Sequence, residues 1–329
     1  MKLLFLTGGF HPELPLYEIA SLGVDVIEVN QNLVYGKHDR WRDLKRLGYT
    51  HKIFEFLGSF TYDSEELPFD PTDVIEESYA VRTKNICCKK NFGKIKESLE
   101  DLVWNNLENP DVDLDYPDIS IYFFLLEDKI FCGKLLHEID SANFTKRKVE
   151  NRPFFYPISL HPRESRVLVN LSKIKPGEKL LDPFCGTGGI LLESSLIGCE
   201  TYGSDFVEEM VEGSGMNLAY FNTNAEIRTL DVKDLKKKWS DVEPFEAIVT
   251  DPPYGTSSKV GGENIKQLYE NALSEISKVL VKDGKCVICA PKKIEMKKLI
   301  PESLELEEIF EEKVHGSLTR KIFVMSKIN

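Results

Sequence analysis

Short apolar runs divided by glycine, proline and charged residues set the pattern of the chain. Leu3–Thr7, Val24–Val29 and Lys52–Leu57 read as strands, with helix-like stretches at Glu18–Leu22 and Asp39–Leu47 between them. An acidic, proline-bearing connection at Asp63–Glu77 leads to a second group of elements. This group holds a strand at Tyr79–Arg82, a basic helix near Lys89–Val103, and a hairpin of Ile119–Leu125 and Lys129–Leu136 closed at Glu127-Asp128. Ser141–Asn151 is polar, basic and short of apolar residues, as a linker would be. The expected organisation is an α+β module over 1–60, a second over 61–142, a linker over 143–152 and a third domain over 153–329.

The third domain alternates strand and helix patterns, which predicts a parallel sheet. A helix from Glu164 to about Ser172 precedes strands at Lys179–Asp182, Glu200–Ser204, Glu226–Leu230 and Ala247–Thr250. A helix at Asn264–Val281, a strand at Lys285–Ala290 and a hairpin of Leu304–Val314 with Lys321–Met325 follow, the hairpin giving an antiparallel last strand.

Composition narrows the function classes. The formal charge is −12, divided as −9 over residues 1–150 and −3 over 151–329, so neither half is a generally basic nucleic-acid binder. Any nucleic-acid surface must be a local patch: Lys84, Lys89, Lys90, Lys94 and Lys96; Lys146, Arg147 and Lys148; Lys236, Lys237 and Lys238; or Lys292, Lys293, Lys297 and Lys298. A lysine run is more often a solvated helix face than a binding surface. No apolar run approaches a membrane span, and Met1–Leu6 reads as a first strand rather than a signal peptide. Seven scattered cysteines point to a reducing cytoplasm, and the lone CxxC at Cys286 and Cys289 lacks a second pair at zinc spacing, so no metal is expected.

The chemistry concentrates where strands end, which is where open α/β sheets bind ligands. The first strand of the third domain runs into Asp182-Pro183-Phe184-Cys185-Gly186-Thr187-Gly188-Gly189, a turn where glycines admit a ligand to the backbone and helix-terminal N–H groups face it. The spacing is not the dinucleotide fingerprint, and Asp182 suits a cation such as an α-ammonium better than a pyrophosphate. Asp205 ends the second strand, where a ribose diol is held, and Asp231 ends the third, placed to accept from an adenine amino group. The fourth ends in Asp251-Pro252-Pro253-Tyr254-Gly255. Two prolines stiffen that turn and leave bare carbonyls, so carboxylate, carbonyl and ring share a corner complementary to a planar base with an exocyclic amino group. Any single Asp here could equally be a helix cap, but four successive strand ends are hard to explain so.

This series resembles the class I S-adenosylmethionine-dependent methyltransferases of the amino-group type, with a Rossmann-like, seven-stranded mixed sheet. By that resemblance Asp182, Pro183, Cys185, Gly186, Thr187 and Gly188 hold the methionine part, Asp205 the ribose, and Asp231 with Val232 the adenine, while Asp251 borders the cofactor. Phe155, Pro157 and His161 resemble the family's upstream cofactor-contacting segment. Tyr79–Arg82, Val112–Leu114 and the paired strands after them resemble a THUMP domain, an RNA-binding module. Together with the ending His315-Gly316-Ser317-Leu318-Thr319-Arg320, the whole chain resembles the archaeal tRNA (guanine-10 N2)-methyltransferases.

The resemblance implies in-line methyl transfer to a guanosine amino group in tRNA, once or twice at one nitrogen. Asp251, Pro252, Pro253 and Tyr254 would be catalytic, and Arg82, Lys84, Lys89, Lys90, Lys146, Arg147 and Lys148 would contact RNA. Relatives in other lineages use a small activating protein, so such a partner belongs among the expectations. An rRNA guanine-N2 enzyme, a DNA adenine-N6 enzyme, which shares the Pro-Pro-Tyr motif, and a non-catalytic RNA-binding protein are the alternatives.

Overall fold

The computed structural model describes residues 1–9, 11–157, 159–255, 264–315 and 318–328. The chain forms two compact units: 1–10, 23–45 and 49–140 make the first; 11–22, 46–48 and 141–329 make the second.

The first unit holds seven strands: β1 (Lys2–Thr7), β2 (Asp25–Asn30), β3 (Leu33–Lys37), β4 (Thr50–Thr61), β5 (Tyr79–Asn85), β6 (Ile119–Leu125) and β7 (Lys129–Glu138). They form one sheet in the order β2-β3-β1-β4-β7-β6-β5. The apolar pattern misses β3, and β4 is twice as long as the run that predicts it. That length matters, because β4 pairs with β1 on one edge and with β7 on the other. The two front modules expected over 1–60 and 61–142 thus share a continuous sheet. Within 63–77, expected as a connection, α2 (Pro71–Val74) is a single capped turn. α3 (Phe92–Trp104) connects β5 to its parallel neighbour β6, and Leu99 and Val103 enter the core beside Ile121 and Phe123. The stretch expected as a helix at 39–47 is a 3-10 turn over Trp41–Arg46.

The second unit begins early in the chain. α1 (Leu14–Ser21) belongs to it, and the fully buried Glu18 explains why. Its Oε1 accepts from Gly48 N and Asn170 Nδ2, both at 2.6 Å. The expected linker is also folded: α4 (Ser141–Lys146) and a 3-10 turn at Val149–Asn151 belong to this unit. α5 (Pro162–Leu171) follows, started by a capping box of His161 and Glu164.

The second sheet then forms from β8 (Lys179–Asp182), β9 (Glu200–Asp205), β10 (Glu226–Thr229), β11 (Phe245–Thr250), β12 (Leu280–Pro291), β13 (Leu304–His315) and β14 (Leu318–Lys327). Its helices are α6 (Gly189–Leu196), α7 (Glu208–Tyr220), α8 (Leu235–Lys238) and α9 (Ile265–Val279). The strand order is β10-β9-β8-β11-β12-β14-β13, parallel except for β14, which runs antiparallel to both its neighbours. Leu180 and Leu181 of β8 and Ala247, Ile248 and Val249 of β11 are fully buried because helices cover both faces, as parallel sheets require. Cys286 and Cys289 are both fully buried in β12. Among the described residues no helix is long and apolar enough to cross a membrane.

Candidate active site

The sheet order sets the carboxyl ends of β10, β9, β8 and β11 side by side, with neighbouring strands about 4.8 Å apart. Asp231, Asp205, Asp182 and Asp251 therefore lie along one edge. Asp182 is 1% exposed, and its Oδ1 accepts from Thr250 Oγ1 at 2.7 Å and from Phe184 N at 3.1 Å. The Thr250 bond ties the end of the cofactor strand to the start of the Asp251 turn. Burial, aided by the charges of Asp205 and Asp251, raises the Asp182 carboxyl to about 7. A cation placed beside it would restore its charge.

Gly186 and Gly188 take φ of 50° and 77°, a region costly for residues with a side chain. A Cβ on Gly186 would meet nothing within 4 Å, so the turn opens onto free space. The Gly186 N–H donates to Asp205 Oδ2 at 3.0 Å and Val207 N to Oδ1 at 2.9 Å. Asp205 is thereby fixed across the turn, and burial raises its pKa. Cys185 and Thr187 are buried beneath the turn, and burial keeps the thiol protonated. An open glycine turn, a buried acid awaiting a cation and a second acid one strand over together fit S-adenosylmethionine, which carries an α-ammonium and a ribose diol.

The upstream segment is held by a residue that periodicity does not single out. Asn217 of α7, 1% exposed, donates from Nδ2 to Phe154 O at 2.7 Å and to Thr187 O at 2.9 Å, and accepts from Phe154 N at 2.9 Å. One side chain thus clamps the segment against the glycine turn. Gly213, one helical turn earlier, leaves room for the Phe154 ring, which a Cβ would overlap. A glycine inside a helix pattern was the available signal. Phe155 and Pro157 are exposed on this segment, Phe155 at 57%, and Ser159 Oγ lies 2.9 Å from Thr187 Oγ1.

Three of the expected site residues have structural partners of their own. His161, expected against the cofactor, caps α5: its Nδ1 accepts from Arg163 N at 3.2 Å, and burial lowers its pKa so that the ring stays a neutral acceptor. Arg147, expected to face RNA, turns inward because the fully buried Glu193 needs a counter-charge; the pair is bidentate at 2.6 and 3.2 Å, and Arg166 completes it at 2.7 Å. Val232 packs its side chain into the core, leaving only its backbone to face a ligand, while Asp231 Oδ1 accepts from Lys233 N at 3.0 Å.

The Asp251 corner is more occupied than bare carbonyls would be. Tyr254 does not stand free to stack: its hydroxyl donates to Asp251 Oδ1 at 2.5 Å. The buried Tyr269 hydroxyl donates to Pro252 O at 3.4 Å, leaving that carbonyl a second lone pair. Burial raises the Asp251 pKa, opposed by Arg320 and by the Tyr254 bond. Arg320 of β14, 4% exposed, puts Nη1 3.9 Å from Asp251 Oδ2.

In the first unit, Arg82 Nη2 donates to Leu114 O at 2.5 Å. Lys84, Lys89 and Lys90 are exposed; Lys89 pairs with Glu127 at 3.2 Å and Lys90 lies 3.9 Å from the Tyr62 ring centroid. In the second, Lys146 is exposed and Lys148 half-buried.

Residues 150–322 match the family described as RMKL-like, methyltransferase domain. A tRNA (guanine(10)-N2)-dimethyltransferase of Methanothermobacter thermautotrophicus is 34% identical over 343 residues, covering 100% of both chains. One of the same name from Pyrococcus abyssi is 31% identical, covering 96% of this chain and 97% of its own. Among solved structures, TrmN from Thermus thermophilus superposes with a TM-score of 0.57 at 20% identity over 100% of both chains, which shows a shared fold. With identity of this level sustained from end to end, the chain belongs to the archaeal tRNA (guanine-10 N2)-methyltransferase family.

Proposed function

We propose that this protein transfers methyl groups from S-adenosylmethionine to the N2 amino group of guanosine 10 in tRNA, twice in succession. The observation that carries the reading is the adjoining of the two strand ends: Thr250 bonds Asp182 of the cofactor edge and is followed at once by Asp251 of the base-binding corner.

The cofactor supplies an electrophilic methyl on a sulfonium leaving group. The protein's own part is mostly positioning. Asp182 would hold the α-ammonium, Asp205 the ribose hydroxyls and Asp231 the adenine amino group. Asp251 and the free lone pair of Pro252 O would accept the two amino hydrogens of the guanine. The incoming amino group displaces the Tyr254 hydroxyl from Asp251 Oδ1, which frees the ring to stack on the base. Asp251 then takes the proton that the alkylated nitrogen sheds. A monomethylated amine keeps one hydrogen for the same acceptor, so a second transfer needs no new residue.

The guanine must leave its stack, at a cost of a few kcal/mol that contacts elsewhere offset. We assign those contacts to the THUMP-like strands β5–β7, with Arg82, Lys84, Lys89 and Lys90, and to Lys146 and Lys148. A tRNA substrate and seven free cysteines suit a cytoplasmic protein.

The test is transfer of labelled methyl to unmodified tRNA with duplex DNA in parallel, followed by nucleoside analysis. N2,N2-dimethylguanosine from tRNA alone supports the reading, whereas methyladenine in DNA overturns it. Cofactor binding without transfer to either would point to a required protein partner.

A further inference from the structure

Arg320 lies in a buried junction of four elements. Its Nη2 is 2.5 Å and its Nε 3.2 Å from Glu312 Oε2 of β13, Nη2 is 3.3 Å from Glu164 Oε2 of α5, and Nη1 is 3.9 Å from Asp251 Oδ2 after β11. One guanidinium thus faces three carboxylates. Nε and Nη2 are engaged by Glu312, with Glu164 paired to the same Nη2, but Nη1, toward Asp251, stands beyond hydrogen-bond reach. Asp251 therefore feels the charge of Arg320 while keeping its lone pairs for another donor. Glu312 and Glu164 also set how much of that charge reaches Asp251, because each competes for the same cation. Among the described residues, the Tyr254 hydroxyl, the buried Tyr269 hydroxyl, the buried Cys289 thiol and the carboxyl of Asp182 also act on Asp251.

We propose that Arg320 is a positioning residue for methyl transfer: it holds Asp251 ionised and oriented as amino-hydrogen acceptor without occupying its oxygens, and Glu312 meters that effect. The inference rests on Asp251 being the acceptor. It assigns a role to a charge that a purely structural salt bridge would not have.

The measurement is the pH profile of kcat at saturating S-adenosylmethionine and tRNA, with cofactor affinity taken separately by calorimetry. Removing the cation in Arg320→Met moves the acidic limb upward by about one to three pH units, the usual effect of a neighbouring Arg on an Asp. Glu312→Gln moves it the other way, because Arg320 is then freer to act on Asp251. Arg320→Lys restores the limb in part, since the charge returns without the fork.

Arg320→Met alone leaves Glu312 buried without a partner and is at risk of misfolding. The double variant Arg320→Met/Glu312→Gln removes both charges together; it folds, binds cofactor as the wild type does, and keeps the upward limb. A double variant that is folded with a wild-type pH profile overturns the proposal. So do limbs that move in the same direction for Arg320→Met and Glu312→Gln. If Asp251→Asn itself transfers methyl at the wild-type rate, the acceptor role of Asp251 fails first, and the two failures are distinct.

Discussion

Replacing Asp182 by Asn separates what this residue costs the fold from what it contributes to cofactor binding. Both of its hydrogen bonds end on Oδ1, from Thr250 Oγ1 and Phe184 N, so an amide oxygen in the same place keeps them. Only the charge is lost. Burial raises the carboxyl from its ordinary 3.8 to about 7. Three units at 1.36 kcal/mol each make about 4 kcal/mol. The sign follows from the raised value. Below about pH 4 the carboxyl is protonated in folded and unfolded chains, and ionisation costs nothing. Between about pH 4 and 7 the unfolded chain ionises while the folded one keeps its proton, so stability falls. Above about 7 the penalty is complete.

Asp182→Asn escapes this decline. Urea unfolding at pH 5, 6, 7 and 8 should therefore show the variant growing more stable than wild type, to a plateau of about 4 kcal/mol. Cofactor binding should show the reverse. An α-ammonium beside Asp182 favours the carboxylate, so binding at pH 6 expels a proton, and wild-type affinity climbs toward pH 7 by up to about tenfold per unit. Calorimetry in buffers of different ionisation heat measures that proton directly, and the variant should bind weakly with no release. Parallel stability profiles, or wild-type binding without proton release at pH 6, would refute the reasoning.

Asp251→Asn should leave folding and cofactor affinity intact while lowering single-turnover methyl transfer by about 10²-fold or more, the usual contribution of a positioned proton acceptor. Asn217→Ala removes three hydrogen bonds of a buried side chain; we expect a loss of about 1–3 kcal/mol by urea titration and a weaker cofactor complex, with kcat at saturation less affected. Lys84→Ala and Lys89→Ala should each raise the Kd for tRNA and flatten its salt dependence by about one unit of slope without changing thermal stability. Arg147→Ala should instead destabilise the protein by about 3 kcal/mol, because it leaves Glu193 to Arg166 alone.

Much of this protein can be read in its sequence, and the reason is local. Strand-like runs ending in Asp182, Asp205, Asp231 and Asp251 declare parallel strands whose tips carry acids, and Gly186 and Gly188 declare the turn because few other residues adopt their backbone angles. The Pro-Pro pair declares a rigid corner. Each signal is confined to a few consecutive residues, and alternation between strand and helix then leaves few sheet orders for those tips to take.

What the sequence alone could not decide was pairing across the chain. Glu18 reads as one more helix-face acid, yet it is buried against Gly48 and Asn170. The lysine-flanked Arg147 reads as a surface cation, yet a buried Glu193 draws it inward. His161 reads as a ligand and Arg320 as one residue of a tail, yet the first starts α5 and the second joins three carboxylates from separate elements. His161 finds its partners two and three residues on; the other groups are satisfied by partners between 8 and 156 residues away. Polar burial becomes tolerable only when such a partner arrives, and that is settled by tertiary packing. Periodicity along the chain dictated which residues stand at the strand ends; the closing of the fold dictated what charge and which hydrogen bonds they find there.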